Sequence, residues 1–264
     1  MPDRKNHSPA SPLRYRAAVC ALLTLAVLAG SAPAAAQSGR MRGSPQGSGE
    51  RGGEALKPSD LQAVFPAGAR CAGIASAFGA NTRYDGSTRS PAEFGGRHGG
   101  IDISLEDGTP LLAIAAGTVV SAGTGGQMEG NFVWLRHAPE DTGVDYGVFS
   151  KYQHLRTPSE LTAGSAVAAG QLVGYSGATG TTGGHYGATG YAHLHLTTVR
   201  ATSTDATVSA RGEARGVTLF DPLRLFADAA ASAGPAIAVP VRFTDGRLQP
   251  AGARVVWPVP CAPR

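Results

Sequence analysis

Hydrophobic and polar positions divide the chain into four stretches. Ala17–Gly30 is an apolar run, preceded by Arg4, Lys5, Arg14 and Arg16 and followed by Ala34-Ala35-Ala36. Residues 37–58 are Gly, Ser and charge, with almost nothing to bury. Apolar content returns at Leu61, Val64 and Phe65. From about 71 to 226 short β-type runs alternate with Gly-rich turns, and strands are expected near 117–120, 132–136, 147–153, 171–175 and 192–199. The last stretch, 227–264, begins Ala-rich and then carries Val239, Val241, Phe243, Val255, Val256 and Trp257, which reads as a tail packed on the core. A weak echo joins the turn and β run after Gly108 to the one after Gly164. Two such units facing each other would make an all-β sandwich or barrel.

The first two stretches have the plan of a secretory signal peptide (1–36), with an A-x-A cleavage site before Gln37, and a disordered linker (37–58). The apolar run has 14 residues, short of the roughly 20 that a bilayer core needs, so no stable membrane anchor is expected after cleavage. Removing residues 1–36 also removes most of the basic excess: 19 basic residues then face 18 acidic ones, with no basic stripe. Nucleic-acid binding is therefore not expected. Export places the protein in the periplasm or outside the cell. Cys20 leaves with the signal, and Cys71 and Cys261 remain as a candidate disulfide, two free thiols being the other reading. With 37 Gly, 18 Pro and 6% aromatics, the composition favours turns and short strands and excludes a coiled coil.

Three patterns carry chemistry. In His98-Gly99-Gly100-Ile101-Asp102, the glycines and Ile101 and Ile103 argue for an extended segment, with His98 and Asp102 on one face and the apolar side chains on the core. In His193-Leu194-His195-Leu196 both histidines share one strand face and both leucines the other. Alone, the His98/Asp102 spacing occurs often by chance, and the paired histidines suit a solvated sheet face. Together they offer N, O and N donors, the set a catalytic zinc takes while its fourth position holds water. Two cysteines 190 residues apart suit a four-thiolate structural site poorly, and calcium or magnesium would want more oxygens. The third pattern is Tyr152-Gln153-His154-Leu155, where His154 taken alone is a surface histidine.

These motifs, in this order, resemble the M23 family of zinc metallopeptidases, the lysostaphin- or LytM-type peptidoglycan endopeptidases. The glycine punctuation matches as well, at Asp107-Gly108-Thr109-Pro110 and at Gly174-Tyr175-Ser176-Gly177, and the likeness covers about residues 71–226. The resemblance implies an all-β, mostly antiparallel fold of duplicated half-barrels (a barrel-sandwich hybrid) over 59–226. It implies zinc on His98, Asp102 and His195, with His154 and His193 as the catalytic histidines. It also implies a peptidoglycan peptide as substrate, in a stem or a cross-bridge. A monomer is expected. Three rivals stand beside this: a non-catalytic activator of cell-wall amidases, a lipoyl- or biotin-carrier-like domain, and an M23-type protease acting on proteins. All five key positions are filled, against the first. The second needs an exposed lysine at a hairpin tip, and Lys151 sits beside the Tyr-x-His motif instead. The segment 181–190 departs from the family as a longer loop. His185 within it, and His137, match no pattern and are assigned to the surface.

Overall fold

The computed structural model describes residues 56–91, 94–126, 128–181, 190–209 and 214–264. The expected signal peptide, most of the expected linker and the centre of the long loop, with His185, lie outside the described residues. No helix among the described residues is long and apolar enough to cross a membrane.

Eight strands form the main sheet: β1 (Ile74–Ser76), β2 (Ile101–Ser104), β3 (Gly117–Thr124), β4 (Asn131–His137), β5 (Val148–Leu155), β6 (Ala166–Val167), β7 (His193–Ala201) and β8 (Val217–Phe220). Their spatial order is β1-β2-β7-β5-β4-β3-β6, and every pairing is antiparallel. The five runs expected from the sequence lie on strands. β7 organises the sheet. One edge pairs with β5 from His195 to Arg200, while the other is shared, β2 taking His193–Leu196 and β8 taking Thr198–Ala201.

Period-two alternation gives β7 two different faces. Leu194 and Leu196 are fully buried, together with Ile101, Ile103 and Tyr152, in the main core. The opposite face carries His193, His195, Thr197 and Val199. Across from these in register stand Asp102 on β2 and Gln153, Lys151 and Phe149 on β5. Val199 and Phe149 join Phe132, Trp134 and Val208 in a second apolar cluster. This face is therefore polar at one end and apolar at the other.

The two echoing segments pair with each other. Pro110–Leu112 runs antiparallel to Leu172–Tyr175, and Gly117 and Thr118 pair with Val167 and Ala166. Between them, Ala113 N–H donates to Gln171 O and Gly170 N–H to Ala113 O, both at 2.8 Å. The repeat in sequence is thus a closure in space.

Residues after 226 are integral to the main core. Helix Pro222–Ala229, capped by the Asp221 carboxylate on Leu223 N–H at 2.9 Å, crosses that position and buries Leu223, Leu225 and Phe226. Trp257 is fully buried, meets Phe65 edge-on at 5.2 Å and donates from Nε1 to Ala72 O at 3.1 Å. Ala236–Ala238 pairs in parallel with Gln62–Val64. Cys71 and Cys261 form a disulfide, closing a loop whose ends are 190 residues apart in sequence. Such cross-links stabilise by about 2–5 kcal/mol, mostly by restricting the unfolded chain.

His137 corrects the surface assignment. It is fully buried. Nδ1 donates to Ala116 O at 2.6 Å and Nε2 accepts from Ser150 Oγ at 2.7 Å. Burial pushes its pKa below the usual histidine value, although the Ala116 carbonyl and Asp141 pull the other way. An unfolded chain takes up this proton near pH 6.5 and the folded one only at lower pH. His137 therefore contributes stability that is present above about pH 6.5 and is lost as pH falls, by up to about 1.4 kcal/mol per pH unit. Urea midpoints at pH 7.5 and pH 5 should diverge less in His137→Gln than in the wild type.

Gly100 explains a glycine in the first motif. A Cβ there would lie 2.4 Å from Leu196 O and 2.9 Å from His195 Nε2, so only glycine lets β2 close on β7. Gly100→Ala should cost about 1–3 kcal/mol in urea unfolding, the usual range for overpacking. Gly123→Ala, where no atom lies within 4 Å of the added carbon, serves as the mild control.

Candidate metal centre and cleft

The register of β2 on β7 sets Asp102 directly across from His195. His98 lies one turn earlier, outside the strand, which begins at Ile101 rather than continuing back through the glycines as the sequence pattern implied. Its main chain is fixed instead by Ala80, whose carbonyl accepts His98 N–H at 2.9 Å, and by Gly79, whose N–H donates to His98 O at 2.8 Å.

Three donor atoms meet. His98 Nε2 is 3.0 Å from His195 Nδ1 and 3.1 Å from Asp102 Oδ1, and His195 Nδ1 is 2.8 Å from the same oxygen. Surrounding groups fix which atoms turn inward. His98 Nδ1 faces Ala77 O at 2.9 Å, and a carbonyl can only accept, so that nitrogen carries the hydrogen. Nε2 is then a bare lone pair aimed at a carboxylate oxygen, an arrangement that calls for a cation between them. His195 Nε2 meets Thr197 Oγ1 at 3.0 Å. Arg89 donates to Asp102 Oδ2 at 3.2 Å and to Ser76 Oγ at 3.0 Å, leaving Oδ1 for the centre. Neighbouring donors on a tetrahedral zinc with bonds of about 2.0–2.1 Å lie roughly 3.3 Å apart. The donor set and its spacing fit such an ion, and the three side chains can hold one.

Two more histidines flank this group. His193 precedes His195 by two positions on the same face. Its Nδ1 donates to Tyr191 O at 3.0 Å, its ring stacks on Tyr191 at 4.6 Å, and its Nε2 is 3.7 Å from Asp102 Oδ1. His154 arrives by a β-bulge. Asn131 pairs with Leu155 and Val133 with Tyr152, so Gln153 and His154 together face Phe132. His154 has φ of 64°, a left-handed conformation unusual for a side chain of this size. Its Nδ1 donates to Thr179 O at 2.8 Å, and its ring centroid lies 4.6 Å from that of His193.

Burial dominates the electrostatics. It pushes His154 down to about 3, with His193 and His195 adding to the shift. It pushes His195 down to about 4 against the pull of Asp102, and lowers His193 as well. Burial alone would raise the Asp102 carboxyl, but the imidazoles of His98 and His195 hold it well below the usual carboxylate range. The site therefore sets the neutral rings of His154, His193 and His195 around one ionised carboxylate.

The cleft above has a volume of about 180 Å³. Arg83, Tyr84, Phe94, Arg97, Met128, Gln153 and Thr181 line it. All five sequence-predicted side chains line it. The sequence reading missed their supports. Thr197 follows His195 by two on the same strand face and was readable from that alternation. Arg89 and the Thr179 carbonyl come from turn-rich loops and left no periodic signal.

Residues 96–207 match the model of peptidase family M23. The chain is 38% identical over 86 residues to the glycyl-glycine endopeptidase ALE-1 of Staphylococcus capitis, an overlap of 33% of this chain and 22% of that protein. It is 35% identical over 117 residues to an uncharacterized metalloprotease of Haemophilus influenzae, an overlap of 44% of this chain and 22% of that one. This chain thus spans less than a quarter of the length of either relative. Among solved structures, the catalytic domain of the antimicrobial peptidase lysostaphin from Staphylococcus simulans is similar at 30% identity and a TM-score of 0.34, over 46% of this chain and 77% of that one. Over residues 96–207, which hold all five of these side chains, the chain belongs to peptidase family M23.

Proposed function

We propose that this protein is an exported zinc metalloendopeptidase that hydrolyses peptide bonds in bacterial peptidoglycan. The observation that carries the reading is the convergence of His98 Nε2, Asp102 Oδ1 and His195 Nδ1 within 2.8–3.1 Å, with His154 and His193 beside them. A glycyl-glycine endopeptidase among its relatives supports peptide-bond hydrolysis, and a metalloprotease supports a metal. The Cys71–Cys261 disulfide suits an oxidising compartment, the periplasm or the cell exterior. The proposed organisation is a signal peptide at 1–36, a linker at 37–58, the peptidase domain at 59–226 and a C-terminal segment at 227–264 that completes its core.

His98, Asp102 and His195 would hold the zinc. Bound there, it supplies Lewis acidity, polarising a carbonyl and bringing a bound water to a pKa of about 7. The chain's own residues supply the proton chemistry. His154 and His193 each commit Nδ1–H to a backbone carbonyl, Thr179 O and Tyr191 O, and so turn an unprotonated Nε2 to the cleft. Burial keeps His154 neutral at ordinary pH. Either Nε2 can take the proton of the attacking water. The ring that has taken it becomes the donor, to the oxyanion or to the departing amine. Both rings are in the same tautomer, so either can serve as the base. Arg89 keeps Asp102 oriented.

Metal analysis and peptidoglycan digestion on the mature chain test this together. The expected result is one zinc per chain, with new amines and shortened cross-links. His98→Ala and Asp102→Ala should lose the metal. His154→Ala should keep it while turnover falls by roughly 100-fold or more; undiminished turnover in that variant would remove His154 from the mechanism. Zinc without peptidoglycan cleavage, but with digestion of a denatured protein, would move the substrate class to proteins. Stimulation of a cell-wall amidase without any hydrolysis would make it an activator.

A further inference from the structure

Lys151 stands on the same sheet face as the site, across from Thr197, and takes no part in the proposed chemistry. It is buried beside Phe132 and Trp134, with Nζ 5.1 and 5.4 Å from their ring centroids, and is ion-paired with Glu129 in the turn between β3 and β4. Lysine is almost never this buried. Ion pairs in such places add little net stability, because desolvation offsets their attraction, whereas an apolar replacement is often neutral. The pair joins β5 to the turn that bears Glu129.

That turn reaches His154. Glu129 O accepts His154 N–H at 3.4 Å. The next residue, Gly130, lies against Thr179 so closely that a Cβ there would be 2.1 Å from Thr179 O. Asn131 N–H donates to Thr179 Oγ1 at 2.9 Å, and Thr179 Oγ1 donates to Leu155 O at 2.7 Å. Thr179 O in turn holds His154 Nδ1. The left-handed backbone of His154 needs such support, since strained conformations cost of order 1–3 kcal/mol. Resting on the endopeptidase reading, we propose that Lys151 and Glu129 are positioning residues for His154: their ion pair fastens the turn that wedges Thr179 against the imidazole and so fixes the direction of its Nε2. Met128 belongs to the same turn and lines the cleft, so the device also sets one cleft wall.

The test uses the zinc-loaded mature enzyme and Lys151→Met, which keeps an apolar stem against Phe132 and Trp134. Zinc content should be unchanged and kcat should fall by about 10- to 100-fold, the range for a displaced catalytic group. In the His154→Ala background the same substitution should cause almost no further loss, because it acts through the missing ring. Independent fold losses that multiply would overturn the proposal. A second readout needs no turnover. The His154 Nδ1–H proton, held by Thr179 O, should give a slowly exchanging downfield NMR signal in the wild type that is lost in Lys151→Met; its persistence there would overturn the proposal. Should Lys151→Met not fold, Glu129→Gln takes its place, and wild-type kcat with an intact signal in that variant would equally overturn it. If the wild type holds zinc and cleaves no peptidoglycan, the endopeptidase reading falls, and the NMR comparison still decides the positioning role.

Discussion

The register of β2 on β7 is the constraint on which the rest of the molecule depends. With Asp102 across from His195, both chemical side chains fall on one face, and Ile101, Ile103, Leu194 and Leu196 fall on the other. A slip by one residue would exchange the two sets, burying imidazole and carboxylate in the apolar core and exposing four aliphatic side chains. At about 1.5–3 kcal/mol for each large aliphatic side chain withdrawn from water, the core enforces the register. The site inherits its geometry from hydrophobic burial. Gly100 is a condition of the same contact, since any Cβ there would push the two strands apart.

Alternation alone delivers Asp102, His193 and His195, and the other two histidines need departures from it. His98 lies outside the strand, tied by main-chain bonds to Gly79 and Ala80. His154 comes onto the face through an extra residue in β5, with a backbone conformation that a regular strand would not adopt. Both departures occur where the sheet meets loops, and both rings are oriented by a backbone carbonyl on Nδ1. Carbonyls of packed segments are stiffer anchors than long side chains, which suits rings whose free nitrogen must point in one direction.

These differences follow what was legible in the sequence. Strand periodicity revealed the faces of β2 and β7, and the turn glycines revealed the paired segments after Gly108 and Gly164, because both signals are local. His137 misled for the same reason. Nothing near it in sequence announces Ala116 O and Ser150 Oγ, the two partners that let a histidine be wholly buried. Arg89 and Thr179 were equally silent, for their contacts join loops distant in sequence. The bulge at His154 could not be read either, since a register shift belongs to a pair of strands and not to one.

Burial also bears on how one pocket would hold both the proposed cation and the proposed bases. Withdrawing ionisable groups from water favours their neutral forms, and His154, His193 and His195 comply. Asp102 does not: its carboxyl stays well below the usual carboxylate range although burial opposes its charge, and Arg89 donates to its Oδ2. On the proposed reading, one fixed negative charge would attract a divalent cation while His154 and His193 stay unprotonated at ordinary pH. A second carboxylate in place of either histidine would bind the metal more strongly through charge, but would itself be drawn to the ion instead of remaining available for the proton. On the proposed reading, the division of the five side chains into one acid and four imidazoles would separate holding a cation from handling a proton within a few ångströms.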